Sequence, residues 1–125
     1  MGSSSGSFLK LAVGKGTGAD YTEYSFNQTN EKLVINHWYH VAFTYRNSDR
    51  HYHVRVWDDT DGVLRVDREG TTPAPMAVTN APVILGNTPL ESSYFDGLLD
   101  EVAVFNSVLA SPQIDKIRRG ECRLY

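Results

Sequence analysis

The chain has 125 residues, of which 41% are hydrophobic and 11% aromatic, a length that suits one domain better than two. Its 12 basic and 15 acidic side chains give a net charge of −3, so the composition carries no electrostatic signature of nucleic-acid binding and no nucleic-acid partner is predicted. No apolar run approaches the roughly 20 residues of a membrane-spanning helix, so no membrane span is predicted.

The first seven residues differ in composition from the rest of the chain. They read MGSSSGS, without the basic start or apolar stretch of a signal peptide, and resemble a cloning remnant or a disordered tail. Residues 8–125 are therefore predicted to form a single domain. The one cysteine, Cys122, cannot form a disulfide within the chain.

Short alternating or apolar runs, separated by turn residues, predict about eight or nine β-strands. The adjacent Asp61 and Gly62, between two alternating runs, are the best hairpin signal. Near the C-terminal end, Ser111 as the N-cap and Pro112 at the first helical position predict a short helix with Ile114 on its apolar side. The predicted strands cover residues 8–13, 21–27, 33–35, 38–45, 52–57, 63–68 and 83–87, a short strand before Gly97 and a longer one ending at residue 105.

The run at residues 38–45 reads WYHVAFTY, and nearly every position in it can be buried on one side of a sheet. We therefore predict that it is a central strand of the sandwich. Trp38 is expected to be buried, because large aromatic side chains usually are.

Three segments carry a family resemblance. Residues 95–106 (FDGLLDEVAVFN), preceded by 38–45 and then 83–86 (VILG), resemble motifs of the laminin-G-like, concanavalin-A-like lectin/glucanase jelly-roll superfamily. The resemblance implies an all-β fold, an antiparallel β-sandwich jelly roll with one short C-terminal helix. It also implies an extracellular or cell-surface location.

The N-terminal side of this resemblance is abbreviated. Members of the superfamily usually open with additional strands that complete both sheets, whereas this chain has almost nothing before Phe8. The chain is then a shortened jelly roll, a fragment, or a subunit whose neighbour supplies the missing cover. An uncovered edge and apolar face favour association, so a homo-oligomer is predicted.

Four residues form the predicted ligand-binding face. His53, Arg55 and Trp57 alternate with Val54 and Val56, so the two sets lie on opposite faces of one strand. His40, on the neighbouring strand, is expected beside them. An indole with polar neighbours can stack on a sugar ring or enter a protein interface, so carbohydrate or a protein surface is the predicted partner.

Two acidic groups are candidate calcium sites. The resemblance makes Asp100, with Asp96, a possible calcium ligand, and the alternative is a carboxylate bonded to turn amides. Asp58, Asp59 and Asp61 share one turn, but they lack the full spacing of a calcium-binding loop, so a solvated hairpin tip is the expected reading.

The sequence favours a noncatalytic recognition module. Glu23 and Glu101 are isolated, so the paired glutamates on one strand that mark the glycoside hydrolases of this superfamily are absent. A structural or assembly protein that oligomerises through an exposed sheet edge is the alternative, and a glycoside hydrolase-like enzyme is the third.

Overall fold

The computed structural model describes residues 8–14, 21–88 and 91–121. The predicted remnant at residues 1–7 and Cys122 lie outside these ranges. The described elements are β1 (Leu9–Gly14), β2 (Tyr21–Phe26), a 3-10 helix (Thr29–Glu31), β3 (Tyr39–Arg46), β4 (His51–Asp58), β5 (Val63–Thr71), β6 (Asn87–Thr88), β7 (Glu91–Tyr94) and α1 (Ser111–Arg118).

Strands β1 and β2 form an antiparallel pair, as their alternating sequences predict. Leu9 lies opposite Phe26, and Leu11 lies opposite Tyr24. Phe26 is buried, and the other three are packed against the same core cluster. Alternation thus gives this small sheet one apolar face and one polar face.

Strands β3, β4 and β5 form a second antiparallel sheet in that order. The predicted hairpin between β4 and β5 is confirmed, with Gly62 at a φ of 67° that suits glycine. Val56 pairs with Val66 and Trp57 with Leu64, so Arg65 is the extra residue of a β-bulge.

The two sheets pack face to face around one apolar core. Phe26 of β2 joins Tyr52, Val54 and Val56 of β4 and Val66 of β5 in a buried cluster. The rings of Tyr24 and Tyr52 lie 4.6 Å apart across the layers. The fold is the expected all-β class, an antiparallel sandwich with one short C-terminal helix.

The prediction of a strand ending at residue 105 is wrong, since the structure has no strand from residue 95 to the start of α1. Glu101 has a φ of 51°, outside the range of a strand, and its N–H donates to the Asp100 carboxylate at 2.8 Å. Such local bonding competes with pairing between strands. Val102 and Val104 are therefore left 55% and 82% exposed. Residues 83–86 are likewise not a strand.

The central position predicted for residues 38–45 is also wrong. Among the described residues, β3 pairs only with β4 and lies at the edge of its sheet. Val41 and Phe43 are 52% and 44% exposed, and Trp38, expected to be buried, is 51% exposed. Two apolar faces indicated a central strand, but the inner face of β3 extends past the cover that β1 and β2 provide.

Helix α1 is present but begins one residue before the predicted position, since Ser111, the expected N-cap, is already helical; Pro112 lies in the first turn. Ala110 is the N-cap, and its N–H donates to the Gln113 side chain at 2.8 Å. Ile114 is buried, and Gly120 ends the helix at a φ of 70°. In the described ranges, no helix is long and apolar enough to cross a bilayer.

Candidate functional site

The outer face of the β3–β4–β5 sheet brings the four predicted binding residues together. His53, Arg55 and Trp57 alternate along β4 with buried residues, which places them on the face opposite the core. His40 of β3 lies directly opposite Trp57 in the register. The predicted grouping is therefore present in the fold.

Helix α1 already contacts this face at Trp57 and Arg55. The Arg118 guanidinium lies over the indole of Trp57, 3.9 Å from the ring centroid. Arg55 donates to the Asp115 carboxylate at 3.3 Å. A cation held over an indole and an ion pair at low exposure together attach the helix to the sheet.

The polar groups on the rest of this face are also paired with one another. His53 Nε2 lies 2.5 Å from the Asp67 carboxylate, which also lies 3.8 Å from Arg55. The side chains of His53 and Arg55 are each only 14% exposed. Burial lowers the pKa of His40, partly opposed by Asp59, so this imidazole is neutral at pH 7. His53 and Arg55 are therefore paired with Asp67, and the indole of Trp57 lies beneath one cation.

Asp58 is the most buried charged residue, with no exposed surface. Its Oδ1 accepts the N–H groups of Thr60 and Asp61, each at 3.0 Å. Its Oδ2 accepts Arg65 Nη2 at 3.1 Å and lies 3.0 Å from His37 Nδ1. The expected solvated hairpin tip is therefore wrong for Asp58, which instead fastens the β4–β5 turn to the segment before β3.

The electrostatics of Asp58 favour the charged form. Burial raises its pKa, but the bonds from His37, the Asp61 N–H and Arg65 outweigh that effect and lower the pKa to about 2.

One ligand atom from each of His37, Asp58 and Asp61 lies within 4.8 Å of the others, a grouping that can hold a metal ion. However, the guanidinium of Arg65 already neutralises these carboxylates, since its Nη2 lies 3.1 Å from Asp58 Oδ2 and 2.8 Å from Asp61 Oδ2. The arrangement therefore suits a structural clamp better than a cation site.

The proposed calcium ligands Asp96 and Asp100 are both exposed. Asp100 accepts a bond from a turn amide, the N–H of Glu101, which was the alternative reading. Neither belongs to the group of three potential metal ligands that the described residues bring together. Calcium at this position stays a prediction.

A second buried carboxylate, that of Glu31, joins the 3-10 helix to β5. Glu31 is 3% exposed and receives two bonds from Arg68 of β5, at 2.9 and 3.0 Å. The Arg68 bond, opposed by burial, lowers the pKa of Glu31. This pair borders a shallow cleft of about 290 Å³ that Tyr24 and Gln28 also line.

The described three-stranded sheet has two edges, β3 and β5. The β5 edge carries four charged residues and a bulge, so the edge of β3 is the less protected of the two. Its eight residues, Tyr39–Arg46, include no proline, glycine or lysine. No backbone hydrogen bond joins them to any described segment on the side away from β4. Natural edge strands are usually short, charged, bulged or covered. This edge is long and uncovered, and Arg46 at its end is the one residue that always carries charge.

Sequence reasoning missed Asp58 and the β3 edge for different reasons. Asp58 has the same parity along β4 as the buried Val54 and Val56, so alternation alone indicated an inward carboxylate. Its partner His37 lies 21 residues away, and no local pattern connects the two. The edge position of β3 depends on which strands pair, and the alternation of a single strand does not reveal that.

Comparison with known proteins gives one match. The family model of the concanavalin A-like lectin/glucanases superfamily matches residues 2–115. No curated protein and no solved structure gives a significant match.

Proposed function

Because the chain belongs to the concanavalin A-like lectin/glucanases superfamily, we propose that it is a noncatalytic recognition module. Membership supports binding of carbohydrate or protein in general terms. The more specific proposal is that the partner is a protein segment in extended conformation, which adds as a strand to the free edge of β3.

The observation that carries this proposal is the exposure of two core-facing side chains. Val41 pairs with Val56 and Phe43 with Val54, so each shares the inner face with its partner. Val54 and Val56 are 2% and 0% exposed, whereas Val41 and Phe43 are 52% and 44% exposed. The core face of the sheet thus continues past its own cover. An added strand with alternating apolar side chains would extend both the hydrogen-bonded ladder and the apolar layer.

We expect Val41→Lys to weaken the binding of an extended peptide by about tenfold or more, since it places a charge on the apolar face and protects the edge. The probe is a fluorescein-labelled peptide of alternating valine and threonine, and fluorescence anisotropy measures its affinity. The matched control is Val78→Lys, the same change at a side chain that is 93% exposed and outside the strands. Equal affinity for the wild type and both variants would contradict recognition at β3.

Carbohydrate binding at the outer face is the second candidate, because the fold does group His40, His53, Arg55 and Trp57 on one surface. It is less well supported, since Arg118 already lies over the indole. If this face binds sugar, Trp57→Ala should abolish retention on a glycan array, while Trp38→Ala should leave it unchanged. Circular dichroism checks that both variants remain folded, and retention by Trp57→Ala would exclude this face.

A further inference from the structure

We propose that the strand that pairs with the free edge of β3 is the β3 of a second copy of this chain. The two strands are antiparallel, and the two-fold axis passes through Ala42. This inference rests on the proposed function, since it names the partner of the same edge. It is carried by the sequence of β3, which complements itself in one register.

On the inner face, this register places apolar side chains opposite each other. Val41 lies opposite the partner's Phe43, and Tyr39 lies opposite the partner's Tyr45, by the pairing that a two-fold axis at residue 42 requires. On β3, Val41 and Phe43 are the two side chains of this face that are about half exposed. Each therefore covers the other across the axis, and aromatic and β-branched cross-strand pairs stabilise sheets.

On the outer face, the same register opposes no like charges. His40 lies opposite the partner's Thr44, and Ala42 lies opposite its own copy. Arg46 lies opposite the partner's Trp38, whose side chain is 51% exposed just before β3. A guanidinium facing an exposed indole is a favourable pair, so both ends of the paired strands are stabilised.

The neighbouring register is less favourable. The middle of Tyr39–Arg46 falls between Ala42 and Phe43, so an axis at Phe43 would also use nearly the whole strand. It would set His40 opposite the partner's Arg46 and leave Trp38 without an opposing strand residue. Arg46 would then face an imidazole instead of the exposed indole of Trp38, so the favourable pair of cation and indole at each end of the strands would be lost. The axis at Ala42 keeps that pair.

A dimer of this kind is closed. Two-fold pairing of edges converts two three-stranded sheets into one sheet of six strands and uses the β3 edge of both copies. The apolar face then runs without interruption across the axis, and the free edge of β3 disappears.

Disulfide trapping tests both the partner and the register. In a Cys122→Ser background, Ala42→Cys places two thiols at directly opposed positions, where Cα atoms lie about 4.5–5.5 Å apart, within the range that a disulfide spans. Thr44→Cys is the matched control, because residue 44 and its copy are four positions apart along the strands, about 13 Å. We expect mild oxidation to give a covalent dimer with Ala42→Cys and not with Thr44→Cys. Light scattering on a sizing column should give a dimer mass for the unaltered chain and a monomer mass for Val41→Lys.

Each other outcome overturns the inference. Equal cross-linking of the two cysteine variants, or none, with a dimer mass in solution would place the interface or the register elsewhere. A monomer mass at high micromolar concentration would exclude the second copy as the partner. In that case, a valine–threonine peptide that binds the wild type but not Val41→Lys would still support the proposed function. A peptide that binds neither protein would contradict both the proposed function and the dimer.

Discussion

Asp58→Ala is expected to lower the free energy of unfolding by about 3 kcal/mol, because it removes a fully buried carboxylate that accepts hydrogen bonds from several partners. Arg65 and His37 both contact the Asp58 carboxylate, and the N–H groups of Thr60 and Asp61 donate to it. The substitution therefore removes the acceptor of the β4–β5 turn and the link to the segment before β3. Urea denaturation followed by circular dichroism measures the loss.

The pH dependence of stability provides a separate check on Asp58. Its pKa in the folded chain is about 2, below the value of about 3.9 expected when unfolded. A lowered carboxyl pKa gives a contribution that is complete above about pH 5 and is lost as the pH falls through 4 towards 2. The contribution at neutral pH is about 2–3 kcal/mol.

Asp58→Asn is the matched variant for the acid experiment. It keeps the size of the side chain but cannot titrate, so its stability should fall less steeply than that of the wild type between pH 4 and pH 2. Asp49 also has a pKa of about 2, through its bond to Arg46, but it is present in both proteins and cancels in the difference. Parallel acid curves for the two proteins would show that Asp58 does not carry the pH dependence.

The sequence predicted what depends on local pattern. Alternation located β1, β2, β4 and β5, and the Asp61-Gly62 pair located the turn between the last two. The grouping of His53, Arg55 and Trp57 followed from the same period of two. These features need only the residues within one strand or hairpin.

What the sequence did not predict depends on partners distant along the chain. The bonds of Asp58 to His37 and of Glu31 to Arg68 span 21 and 37 residues. The alternation of Val102 and Val104 indicated a strand, yet the turn at Asp100 and Glu101 removes the extended backbone that a strand needs. Similarly, the pattern of β3 is that of a central strand, and only the strand order shows it at an edge.

These two differences from the predicted fold support the same proposal. Within the described part of the chain, β3 pairs with no strand other than β4, and the core face extends past the strands that cover it. Both features are consistent with a sandwich completed by another polypeptide. The apolar residues on both faces of β3 are then explained by the partner's strand, without a second neighbouring strand from the same chain. The partner's strand would make β3 a central strand, as its sequence indicates.

Tyr52→Ala is expected to destabilise the fold by about 3–5 kcal/mol, the usual cost of removing a buried aromatic ring. Tyr52 is 8% exposed at the centre of the core, and its ring lies against Tyr24 of the other layer. Loss of the Tyr52 ring therefore weakens the contact between the two sheets as well as the packing within the β3–β4–β5 sheet. Urea denaturation measures the change, and one cooperative transition is expected, because both layers share this core.

Gly70 provides the control for the position of the Tyr52 ring. A Cβ at residue 70 would lie 3.0 Å from the Tyr52 hydroxyl oxygen and 3.1–3.2 Å from the adjacent ring carbons, which is closer than ordinary contact. Gly70→Ala alone should therefore be destabilising, whereas Tyr52→Phe, which keeps the ring, should change stability by less than about 1.5 kcal/mol. The double variant should lose less than the sum of the two, because removing the hydroxyl relieves the nearest contact. Strict additivity in urea denaturation would mean that the Tyr52 hydroxyl does not limit the space at residue 70, contrary to the packing described for the core.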